Sequence, residues 1–147
     1  MSGSRVVVIP CSGVGKPYGT VSREAAFEVV EELRPESAEI VPLSLLVLGD
    51  EAARAGVAEA PVISIDGCSL ACASKMVAES GGVVAREFRV MEFYREHRDL
   101  KPQGIAELNG AGRELARMLA ETIAAEVDLL LPTDTVPAQP GKEAPDA

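Results

Sequence analysis

The chain has no tryptophan, only 3% aromatic residues, one histidine and three cysteines among its 147 residues. With so few aromatics, Val, Leu, Ile and Ala must fill the core. The single histidine is His97. It lies within Tyr94-Arg95-Glu96-His97-Arg98-Asp99, and a charged surface strand or helix explains it without ligation. An odd cysteine count is not a disulfide framework, so Cys11, Cys68 and Cys72 are expected as reduced thiols. Positive charge is scarce too: 14 Lys plus Arg stand against 23 Asp plus Glu, a net charge of −9. A nucleic-acid binder needs a basic footprint, and an anionic membrane surface attracts basic segments, so neither is an expected partner. The longest N-terminal apolar run, Val6 to Ile9, ends at Pro10 and is too short for a signal-peptide core. Nothing approaches the ~18 apolar residues of a spanning helix. The cytoplasm is therefore the expected compartment.

What is present reads as one domain, residues 1–131, followed by a disordered Pro/Ala-rich acidic tail. Residues 132–147 hold four of the ten prolines and no large apolar residue except Val136. With 47% apolar and 25% charged residues, the chain can bury a core. Arg5 to Pro10 is a β-branched run suited to a buried parallel strand. A glycine-rich loop follows, then a helix from about Thr20 to Arg34 with Ala26, Val29, Val30 and Leu33 on one face, stopped by Pro35. Ala38 to Leu43 is a weaker strand. Ser44 to Gly56 is a helix with a break at Gly49-Asp50. Pro61 to Ile65 is a third strand, Ser69 to Ser80 a helix, and Gly82 to Val90 an edge strand interrupted by charge. Met91 to Lys101 is a short helix or structured loop, and a last helix runs from about Gln103 to Leu130.

Strands alternating with helices predict an α/β fold, a three-layer αβα arrangement on a mostly parallel four-stranded sheet. In such sheets ligands bind beyond the carboxyl ends of strands, where the winding reverses. Cys11 and Cys68 each follow the carboxyl end of a strong strand. In a 2-1-3-4 order those two strands are neighbours, so 57 residues of separation become proximity.

Each constellation has more than one reading. Cys68-x3-Cys72 spans one helical turn, and a thiol at a helix N-terminus is favoured as thiolate, the form that binds soft metals. Cys72 between Ala71 and Ala73 also suits a small buried filler. After the first strand, Ser12, Gly13, Gly15 and Lys16 form a plausible anion-binding loop leading to a helix N-terminus. The same glycines serve equally well in a tight turn. The loop is not a Walker A motif, because Pro10 stands where its first glycine would be and Pro17 follows Lys16. Nor is Gly13-x-Gly15-x3-Gly19 a dinucleotide fingerprint. Thiolate phosphatases and arsenate reductases also place a Cys before such a loop, but they close it with an Arg, and here the first is Arg23. Asp66 either caps the following helix or approaches the site, capping being the more ordinary role. The acidic pairs Glu31-Glu32 and Asp50-Glu51 read as solvated faces.

Two stretches resemble a known family. Pro10-Cys11-Ser12-Gly13-x-Gly15-Lys16 with Gly19-Thr20-x-x-Arg23-Glu24-Ala25-Ala26 is similar to the opening of the DGC-domain proteins. Ile65-Asp66-Gly67-Cys68-x3-Cys72-Ala73-x-Lys75, then Gly81-Gly82, is similar to their central motif. The resemblance covers about Arg5 to Leu130. It implies zinc binding through four cysteines, of which Cys11, Cys68 and Cys72 match. Pro42 stands where the fourth is expected. Three thiolates leave a position open to water, Asp66 or an external ligand, and they also suit an iron–sulfur cluster with one non-cysteine ligand. Three functions follow as expectations. The first is a zinc-binding protein. The second is a metal-free thiol enzyme using Cys11 or Cys68 beside the loop, with a small anionic ligand. The third is a partner-binding module whose cysteines only pack, with Met91 to Lys101 as its contact surface.

Overall fold

A computed structural model describes residues 5–11, 16–67 and 70–131. The expected tail, and the loop residues Ser12, Gly13 and Gly15 together with Cys68, lie outside them. Strand β1 (Val6–Pro10) leads to α1 (Pro17–Phe27), which continues as a π-helical turn over Glu28–Leu33. Then come β2 (Ala38–Ile40), α2 (Leu43–Leu48), α3 (Glu51–Glu59) and β3 (Val62–Asp66). The remaining elements are α4 (Cys72–Glu79), β4 (Val84–Arg89), α5 (Val90–Arg95) and α6 (Gly110–Leu130).

The four strands form one parallel sheet in the order β2-β1-β3-β4. The central pair is buried along its whole length, as expected of strands covered on both faces. Side chains alternate along β1, so Val6 and Val8 join one core while Val7 and Ile9 join another. The first core is filled by Val21, Ala25 and Val29 of the α1 region and by Leu115, Leu119 and Ile123 of α6. The second takes Leu46 of α2, Val57 of α3 and Val77 of α4. Helices therefore cover both faces, giving the three layers. No helix among the described residues is long and apolar enough to cross a membrane.

Several boundaries differ from the sequence expectation, each for a local reason. α1 starts at Pro17, three residues before Thr20, because proline's fixed φ and missing N–H suit a first helical turn. The break between α2 and α3 falls where the glycine stood. Gly49 takes φ +79°, and Asp50 caps α3 by accepting from Ala53 N at 2.9 Å. α6 begins at Gly110 rather than Gln103, since Asn109 accepts from Gly112 N at 2.8 Å and ends the irregular stretch before it. α4 begins at Cys72 rather than Ser69, with Ala71 in the left-handed region at φ +56°. Cys72 is thus the first residue of the helix, and the four-residue spacing from Cys68 is not an interval within it.

Candidate functional site

β1 and β3 end side by side. Pro10 pairs with Ile65, and the ladder extends one step further as Cys11 N donates to Ile65 O at 2.8 Å. This puts Cys11, nearly fully buried, against the start of the Asp66-Gly67 turn. Gly67 N donates to Cys11 Sγ across 3.1 Å. On the other side of the sulfur lies Ser22 Oγ of α1, at 3.4 Å. Ser22 already donates to Gly19 O at 2.6 Å, so the thiol is the donor in the contact with Ser22. The sulfur is therefore held by groups from α1 and from the turn after β3.

Gly67 has no room for a side chain. A Cβ there would stand 2.8 Å from Gly19 N and 2.9 Å from both Gly19 Cα and Tyr18 C. All three are backbone atoms of α1 and cannot swing aside. The glycine of the Asp-Gly-Cys motif thus packs directly on Gly19 of the first motif.

Asp66 is buried at the end of β3 and acts on α4. Its Oδ1 accepts from Ala73 N and its Oδ2 from Ser74 Oγ, both at 2.8 Å. Ala71, at the N-cap position, offers no capping side chain, so the carboxylate supplies the cap from a neighbouring strand. The capping role expected for Asp66 is thus the one observed. Ser74 extends the network, since its hydroxyl lies 2.7 Å from Ser64 Oγ and 3.1 Å from Glu87 Oε2. Glu87 in turn pairs with Arg89 at 3.0 Å. Cys72, fixed in place by this arrangement, is exposed.

A cavity of about 510 Å³ opens at the same edge of the sheet. Lys16 and Tyr18 of the α1 start, Gly67, and Arg89, Met91 and Arg95 from the β4–α5 segment border it. Tyr18 and Tyr94 pack at 5.8 Å between ring centroids, joining α1 to α5.

Of the residues singled out from sequence, Cys11, Lys16, Asp66 and Cys72 sit where β1 and β3 end and where α1 and α4 begin. Ser12, Gly13, Gly15 and Cys68 lie outside the described residues. Among the described residues no three His, Cys, Asp or Glu side chains gather as metal ligands would. His97 is explained locally, its Nδ1 lying 3.0 Å from Phe93 O and its ring stacking on Phe93 at 4.6 Å. Pro42 stands at the N-cap of α2, just past β2. Sequence reasoning missed Ser22, Ser74, Glu87 and the two arginines. The rule that sites gather at carboxyl ends would have reached Arg89, the last residue of β4.

A family model described as DGC domain matches residues 7–124, which include both motifs. No curated protein and no solved structure matches the chain.

Proposed function

The chain belongs to the DGC-domain family, and we propose that it binds a metal ion, zinc, through Cys11, Cys68 and Cys72. The observation that carries this reading is the 3.1 Å hydrogen bond from Gly67 N to Cys11 Sγ. It sets the residue bonded to Cys68 against the sulfur of Cys11. The chemistry of the donor set fits zinc. Thiolates are its preferred ligands in a protein, and a backbone N–H aimed at a sulfur is the outer-shell contact that stabilises a metal-bound thiolate. A metal-bound thiolate at Cys11 can only accept from Ser22 Oγ, 3.4 Å away, so binding requires Ser22 to turn its proton from Gly19 O to the sulfur.

Asp66 has a different part. Both its oxygens serve the first turn of α4, so it positions Cys72 rather than completing the ligand set. Pro42 has no ligating atom in its side chain. Three thiolates then leave one position for water or an external ligand, the arrangement in which zinc serves as a Lewis acid. An iron–sulfur cluster is the alternative for the same three sulfurs. In the alternative reading, a metal-free thiol enzyme using Cys11 or Cys68, Cys11 is the poorer nucleophile, being buried and hydrogen-bonded whereas a reactive thiol must be reached.

Cobalt(II) substitution tests the ligand set, because cobalt reports thiolate ligation through sulfur-to-metal charge-transfer absorption. The proposal expects that band in the wild type and its weakening in each of Cys11→Ser, Cys68→Ser and Cys72→Ser. Absence of the band, or variants that leave it unchanged, contradicts the proposal.

A further inference from the structure

We propose that the cavity at the carboxyl edge of the sheet binds a small organic anion, with a phosphate or carboxylate head and an apolar body. Its walls carry charge opposite to the rest of the molecule. The chain has a net charge of −9, yet among the described residues Lys16, Arg89 and Arg95 line this one space against a single acid, Glu92. Arg89 is held by Glu87 at 3.0 Å. Lys16 and Arg95 have no ion-pair partner among the described residues and are exposed at the mouth. Two unpaired cations facing a cavity of about 510 Å³ are the complement of an anionic ligand of ordinary metabolite size.

The apolar part of the lining completes the match. Pro17, Tyr18 and Met91 add apolar surface to the lining. An inorganic ion would leave that surface uncovered, so an organic body bearing the charge fits better. One wall is braced by packing between helices: Tyr18 lies against Tyr94 at 5.8 Å between ring centroids, joining α1 to α5. A braced wall loses less freedom on binding.

The inference does not rest on the metal reading, since none of the charged or apolar groups it uses is a cysteine. Gly67 is the point of contact between the two, lining the cavity while its amide holds Cys11.

Phenyl phosphate is the first probe, titrated into the full chain and followed by backbone amide NMR shifts. Benzoate tests whether a carboxylate head serves as well, and inorganic phosphate tests the need for the apolar body. The expected result is saturable binding of phenyl phosphate or benzoate, tighter than inorganic phosphate, with shifts at Tyr18, Gly67 and Met91. Lys16→Gln and Arg95→Gln should each weaken it about fivefold to tenfold, and the double variant more than either, in line with one lost charge-assisted contact apiece. Arg54→Gln, on the exposed face of α3, should leave it unchanged. Three results would overturn the proposal. They are no saturable binding by either organic probe, inorganic phosphate binding as tightly as the better of them, and binding that survives intact in the double variant. The last is what coordination to a metal at the cysteines would give.

Discussion

Gly67 N and Cys11 Sγ lie 3.1 Å apart although 56 residues separate them in the chain. The contact exists because β1 and β3 are parallel neighbours in register, Pro10 opposite Ile65, so both chains leave the sheet at the same level. It also needs Gly67 to lie flat on Gly19, which brings the start of α1 and Ser22 to the same sulfur. One strand pairing and one glycine contact therefore assemble the surroundings of Cys11.

Gly67→Ala tests that packing. The added Cβ meets α1 backbone at 2.8 Å, and backbone cannot rotate away. Overpacking of this kind destabilises by about 1–3 kcal/mol. Denaturant unfolding should show a loss in that range with an unchanged slope. A variant as stable as the wild type would mean that α1 and the turn after β3 are not in contact.

Asp66 separates into a charge and a hydrogen-bond acceptor. Asp66→Ala removes the cap and leaves Ala73 N without its partner, a loss of about 2 kcal/mol. Asp66→Asn keeps an acceptor for Ala73 N. Ser74, whose hydroxyl also reaches Glu87 at 3.1 Å, can redirect its proton there. The asparagine variant should therefore lose about half as much in thermal or denaturant unfolding. Equal losses would assign the effect to charge alone.

Ser80 Oγ is buried and has no hydrogen-bond partner among the described residues. A hydroxyl stripped of water without a replacement bond destabilises, so Ser80→Ala should be neutral or stabilising by up to ~1 kcal/mol. Most buried polar truncations go the other way, so a loss above ~1 kcal/mol in denaturant unfolding would mean the hydroxyl has an unseen partner.

Arg34 and Asp128 form a two-pronged pair, Nε to Oδ1 and Nη2 to Oδ2, each at 2.8 Å. The hydrogen bonds from Arg34, with its charge, hold the Asp128 carboxyl below its ordinary value and raise the guanidinium further. A carboxyl lowered in the folded state contributes stability above its unfolded value of about 3.9, and that contribution fades as pH falls through the lowered folded value. Both side chains are about a third or more exposed, so solvent screening limits the pair to ~0.5–1 kcal/mol. Asp128→Asn should lower stability by that amount at pH 7. The gap between variant and wild type should close below pH ~3.9; a gap independent of pH would contradict the pairing.

The sheet order was legible because β-branched runs with flanking glycines and prolines mark Val6–Pro10 and Val62–Asp66 strongly, and right-handed crossovers leave a parallel sheet of four strands few allowed windings. The adjacency of Cys11 to Asp66-Gly67 followed from that order. The start of α4 was not legible. Its cap comes from Asp66, outside the helix, and Ala71 at φ +56° carries no sequence signal for a left-handed residue. The cations of the cavity were hidden for a different reason. Arg89 and Arg95 read as ordinary surface charge until β4 is placed beside β3 and α5 folds back toward Tyr18.

Zinc content of the untagged, anaerobically purified chain, measured together with thiol reactivity, tests the three-cysteine site most directly. About one zinc per chain, with all three thiols unreactive until a chelator is added, is the predicted result. Metal-free protein with a freely reactive thiol would contradict it, and iron with sulfide in place of zinc would replace the ion with a cluster.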